Sequence, residues 1–158
     1  MRKLLISALV AFSAISVARA NSPDEYVWSG NHPNDKRASV SFGIPETGAI
    51  LFTASCIRKH VIYLSLQVEP KHLATINEHV KQKVTLVKVG NDPFRFIGEL
   101  FENEGEGAWE LSAYVTPDLP LLQRLTRDDR SKLIIGNLAI PLNRKSATEI
   151  GITLKKCG

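Results

Sequence analysis

Four histidines, a run of glutamates and two cysteines are the residues of this chain best suited to chemistry, and their spacing decides which of them could act together. His72 and His79 fall about two turns apart on a stretch with helical apolar spacing, with Glu69 and Glu78 nearby. Two ligands on one helix share an ion when they are three or four positions apart, as in H-E-x-x-H. No second cluster completes a coordination sphere, so these side chains read as solvated, and so do the isolated His32 and His60. Glu99 with Glu102, and Glu104 with Glu106, could in principle divide acid and base work between two carboxylates. They lie in or beside the glycine-rich turn 103–107, however, which is the composition of a solvated acidic loop. No G-x-S-x-G elbow presents a serine, and Gly105 and Gly107 lack the Lys-Ser/Thr that follows a phosphate-binding loop. The expectation is a protein that is not an enzyme and has no metal site and no cofactor.

The remaining reactive pair is Cys56 and Cys157, the only cysteines. Their redox fate depends on the compartment, and the start of the chain bears on that. Met1 precedes Arg2 and Lys3, then an uncharged apolar stretch over 4–17, then Ala18-Arg19-Ala20. A positive head, an apolar run and small residues at the end make an export signal, predicted to be cleaved after Ala20. About fourteen apolar residues at 1.5 Å rise cover about 21 Å of a roughly 30 Å hydrocarbon core, too short for an anchor. The chain after Ala20 is thus expected in the periplasm or released beyond it, where disulfides persist. Cys56 bonded to Cys157 is the leading reading; a redox pair and two free buried thiols are the alternatives. The bridge would close a loop of about 100 residues and constrain the unfolded chain by up to about 4.7 kcal/mol in the chain-entropy model.

Arg2, Lys3 and Arg19 take three of the 20 basic residues and none of the 16 acids, which leaves 17 against 16, or +1, after cleavage. A nucleic-acid partner inferred from net charge loses its basis.

These residues need elements to position them. Residues 21–36 carry Pro23, Gly30 and Pro33 and read as a loose lead-in that Tyr26 and Trp28 could anchor. Residues 37–158 read as one β-rich domain. Short apolar runs between turn residues predict about seven strands, over 39–42, 50–56, 60–68, 84–89, 94–101, 108–115 and 133–140. The fold class is mainly β: an antiparallel sandwich or open barrel with short helices. The second and third strands form a hairpin turning near Arg58-Lys59, with Cys56 on the face of Phe52. Helices are predicted over 71–82, around Leu121, Leu122 and Leu125 with Asp118 as cap, and at the C-terminus. There, Ser146-Ala147-Thr148-Glu149 matches a capping box, and Ile150, Leu154 and Cys157 share one face. The last helix is thereby expected to be tied by the disulfide.

Charge is unevenly placed. Glu99, Glu102, Glu104, Glu106 and Glu110 gather in one hairpin, while Arg124, Arg127, Arg130, Lys132, Arg144, Lys145, Lys155 and Lys156 crowd the last third. A basic pole made of these could steer toward an envelope protein, an anionic glycan or lipid headgroups.

The segment Ser41-Phe42-Gly43-Ile44-Pro45-Glu46-Thr47, the strand ending in Cys56, and the final Ser-rich turn, helix and Cys157-Gly158 resemble small periplasmic proteins of Gram-negative bacteria. The likeness is to the type VI secretion accessory group and, more distantly, to the invasion-associated locus B group. The resemblance implies a non-catalytic β-rich envelope protein, acting through a protein or glycan surface in secretion or virulence. Two other functions stay open: an inhibitor of a lysozyme-like hydrolase that inserts the 103–107 loop, and a cell-wall hydrolase with an unadvertised site.

Overall fold

A computed structural model describes residues 26–31, 37–79, 84–103 and 108–158. The predicted signal, most of the lead-in, His32, Glu104 and Glu106 lie outside the described residues, as do the side chains of Glu78 and His79.

Alternation dominates the first sheet. In β3 (Ile50–Arg58) and β4 (Val61–Val68), every second residue is buried. Period two puts Phe52, Ala54 and Cys56 on the same side as Ile62, Leu64 and Leu66. The two strands form the predicted hairpin, turning at Lys59-His60, with His60 at φ 62°. β4 pairs with β8 (Ala108–Val115), which buries Leu111 and Ala113, and β8 pairs with β7 (Glu99–Asn103). On the other side β3 pairs with β2 (Ser39–Gly43) and β2 with β1 (Val27–Asn31). The six-stranded sheet runs β1-β2-β3-β4-β8-β7, and every pairing is antiparallel.

A four-stranded antiparallel sheet, β10-β9-β5-β6, lies over it. It is made from β5 (Val84–Val89), β6 (Asp92–Ile97), β9 (Lys132–Ile135) and β10 (Leu138–Pro141). Val87, Val89, Leu133, Ile135 and Ile140 supply its buried face.

The strand count is ten among the described residues, not seven, for three physical reasons. Trp28 is only 1% exposed and packs on Phe42 and Phe52 at centroid distances of 5.2 and 5.7 Å, which draws part of the lead-in into the sheet as β1. Gly136 at φ 60° with Asn137 makes a two-residue turn, which divides the expected 133–140 strand into the β9–β10 hairpin. Gly98 divides the expected 94–101 strand, so that β6 joins one sheet and β7 the other. A Cβ at Gly98 would lie 2.8 Å from Thr85 Oγ1 and 3.2 Å from the Ser112 carbonyl oxygen, so the close crossing requires glycine. That crossing links the sheets at one corner. At the other, Trp28 Nε1 donates to the Pro141 carbonyl at 2.8 Å, joining β1 to β10. The sandwich is therefore tied along both open sides.

Three helices among the described residues complete the layers. α1 (Pro70–His79) follows β4, and the rest of the predicted 71–82 helix lies outside the described residues. α2 (Pro120–Leu125) buries Leu121, Leu122 and Leu125, and its N-cap is Leu119 with no side-chain bond. Asp118 is not the cap; Pro120 at the first turn fixes the helical φ in its place. α3 (Arg144–Cys157) starts earlier than the predicted capping box. Asn143 accepts from the Ser146 amide at 2.9 Å, and Ser146 Oγ accepts from the Asn143 amide at 2.9 Å, so Ser146 closes the box and does not open it. Ile150, Leu154 and Cys157 are buried together as expected. Cys157 is bonded to Cys56 across 101 positions, with Cα atoms 5.5 Å apart. No helix among the described residues is long and apolar enough to cross a membrane.

Candidate functional site

Each cysteine sits beside a basic pair: Cys56-Ile57-Arg58-Lys59 in the β3–β4 hairpin and Lys155-Lys156-Cys157 in the last turn of α3. Bonding the sulfurs forces the two pairs to one end of the molecule. The junction is held further by the His60 amide, which donates to the Cys157 carbonyl at 2.7 Å. A β-bulge sharpens it: Cys56 faces Ile62 and Arg58 faces Val61, which leaves Ile57 as the extra residue, 46% exposed.

The result is a groove of about 490 Å³ lined by Arg37, Ile57, Arg58, Lys59, Lys156 and Gly158, with Cys56 in its wall. Every charged side chain lining it among the described residues is a cation. Lys155 and Lys156 also answer the partial negative charge of the α3 C-terminus. Arg37, Arg58 and Lys59 have no helix end to answer; the hairpin carries Arg58 and Lys59 to the groove, and Arg37 reaches it from just before β2. A wider groove of about 680 Å³ adjoins through Gly158 and is lined by His60, Asp118, Gln123, Gly151 and Lys155 among others. Converging guanidinium and ammonium groups can hold phosphate or carboxylate oxygens by charge-assisted hydrogen bonds.

The basic residues singled out from the sequence are dispersed. Arg124 is held by Asp92 and Asp128, each at 3.0 Å, as part of the fold. Arg130 lies 3.6 Å from Asp129. Arg127 and Lys132 are exposed near α2 and β9. Arg144 and Lys145 are exposed in the first turn of α3, about 16 Å along the axis from Lys155 and Lys156. Arg37, Arg58 and Lys59 were missed. The signal for two of them was their nearness to Cys56, which mirrors Lys155 and Lys156 beside Cys157.

Other candidates have local duties. His72 Nδ1 is 2.7 Å from Asn137 Oδ1 and fastens α1 to the β9–β10 turn. Tyr63 donates to Glu110 Oε1 at 2.5 Å; burial first, then this bond, pushes its phenol up to about 12. Asp128 is 7% exposed. Burial works against its charge, but the Ser131 side chain, the Arg130 and Ser131 amides and Arg124 outweigh that and hold its carboxyl below the usual range. The 104–107 loop tip lies outside the described residues. Among the described residues no three His, Cys, Asp or Glu side chains are grouped to hold a metal.

No family model, curated protein or solved structure matches the chain. The functional reading therefore rests on its surfaces.

Proposed function

We propose that the protein is an exported, non-enzymatic binding module of the envelope that grips the anionic groups of a partner at its disulfide-stapled basic pole. The observation that carries this reading is the convergence of Arg37, Arg58, Lys59 and Lys156 on one groove with no acidic side chain among the described residues that line it. The disulfide fits an oxidising compartment, and the signal-like start of the chain fits delivery to the periplasm. The resemblance to small periplasmic accessory proteins agrees with a role beside secretion or virulence machinery.

Chromatography of the oxidised, mature protein on immobilised heparin, a polyanionic glycan, tests the site. Retention should fall steeply with salt, and the Arg58→Glu/Lys59→Glu variant should elute several-fold earlier in salt than an Arg127→Glu/Lys132→Glu control. Passage of the native protein through the column at low salt, or equal loss from both double variants, would refute the basic pole as the working surface.

A further inference from the structure

The outward face of the four-stranded sheet is aliphatic where a solvated face would be polar. Thr85, Val87, Val89, Leu133, Ile135 and Ile140 are buried, so their neighbours along each strand face out. Successive outward rows pair Val84 with Ile97, Leu86 with Arg95, and Lys88 with both Pro93 and Ile134. Lys132, paired with Pro141, stands in the row beyond. Ile97 is 72% exposed and Val84 is 42% exposed. Leu86, in the next row, is half-buried. One exposed aliphatic side chain on a surface needs no explanation, but two paired across strands and continued by a third form a patch.

Charge on this face has one sign. Lys88, Arg95 and Lys132 are all exposed, and the described residues of these four rows include no acid. Asp92 takes the other parity, opposite Val89, and is held by Arg124 at 3.0 Å. Glu99, two positions past Ile97, has crossed the Gly98 corner into the other sheet. A surface kept merely soluble mixes both signs of charge. Three cations beside an aliphatic patch suit an anionic surface with an apolar phase behind it.

We infer that this face docks on a membrane carrying anionic phospholipids, with Ile97 and Val84 entering the boundary between headgroups and acyl chains and Lys88, Arg95 and Lys132 on the phosphates. Charge complementarity sets the sign of the partner, and composition sets its class. Interfaces between proteins gather aromatic rings and are poor in lysine; the described residues of these rows hold two lysines and no aromatic ring. Acyl chains accept an aliphatic side chain without a matching cavity, and a lipid surface offers phosphates at any spacing, so dispersed cations suffice. Arg95 stands one row, about 7 Å, from Ile97, and Lys88 two rows, about 14 Å, from Val84. Long side-chain stems let both charges rise to the phosphates while the aliphatic pair sits deeper. The face shares no residue with the basic pole and does not depend on it.

Co-sedimentation of the oxidised, mature protein with lipid vesicles tests it. Vesicles of phosphatidylcholine with one-third phosphatidylglycerol should carry the protein down, and vesicles of phosphatidylcholine alone should not. Ile97→Ser should weaken binding about tenfold while Ile97→Leu keeps it, and Lys88→Glu/Arg95→Glu should weaken it more than tenfold. Because Ile97 is largely exposed, its replacement leaves the fold intact, which an unchanged unfolding midpoint of the variant should show. The basic pole can also meet phosphates, so the series is repeated with Arg58→Glu/Lys59→Glu present; binding should persist there and keep its dependence on Ile97. Failure to bind the phosphatidylglycerol vesicles, equal binding by Ile97→Ser, or complete loss with the Arg58→Glu/Lys59→Glu change would overturn the proposal. Retention on immobilised polyglutamate that depends on Ile97, without vesicle binding, would assign the face to an acidic protein and overturn it as well.

Discussion

Replacing Cys56 and Cys157 together by serine removes the staple while leaving both positions polar and small. Carbonyl oxygens of Arg58 and Val61 lie 3.4 Å from Cys157 Sγ, so a serine hydroxyl there has an acceptor and the native state loses little locally. The main effect falls on the unfolded chain, which is released from a loop closed across 101 positions. For a loop near 100 residues the chain-entropy relation gives about 4.7 kcal/mol at 25 °C, and native bridges in small exported domains are worth about 2–5 kcal/mol when removed. Ile150 and Leu154 still hold α3, because each buried aliphatic side chain contributes about 1.5–3 kcal/mol. The variant should therefore stay folded but lose about 3–5 kcal/mol, which a urea titration would read as a midpoint lower by about 2 M. The denaturant dependence should also steepen, since a chain without the cross-link exposes more surface when it unfolds. Hydrogen exchange should quicken first at the His60 amide and the last turn of α3, where the staple acts most directly. A loss below about 1 kcal/mol, or a large loss with an unchanged slope, would refute the assignment of the effect to the unfolded chain.

Two further outcomes follow from the packing. Gly98→Ala should cost about 1–3 kcal/mol in chemical denaturation, because its Cβ meets Thr85 Oγ1 and the Ser112 carbonyl at the crossing between sheets; a neutral result would show that the corner can relax. The lowered Asp128 carboxyl stabilises the native state above its unfolded value near 3.8, and that contribution is lost as pH falls through its depressed native value. Asp128→Asn should therefore reduce stability at neutral pH and flatten the acid limb of a melting-temperature profile, and an acid limb as steep as that of the native protein would count against this role.

Elements with strict period two were readable from the chain alone. The β3–β4 hairpin and β8 alternate so regularly that both their strand character and their buried face follow from spacing. β6 and β7 were fused because Phe94, Phe96, Leu100 and Phe101 form one apolar run, and a glycine inside such a run marks a corner only when its neighbours are known. The Gly136-Asn137 turn was a signal that went unused, since the flanking apolar residues masked it. Trp28 looked, with Tyr26, like an anchor in polar surroundings, and only the facing Phe42, Phe52 and Pro141 give it a strand to sit in. The basic pole was half visible: the disulfide was expected, but charge counted along the chain favoured the last third over the residues that the bond brings together.

The long wait between the bonded sulfurs also orders events in time. A chain that emerges with its start in the lead presents Cys56 long before Cys157, and its sequence holds no third cysteine to act as a wrong intramolecular partner. Closure must wait until nearly the whole domain has arrived and α3 has found its seat. The bond thus acts as a completeness check: an interrupted chain keeps a naked thiol and never assembles the charged groove beside it.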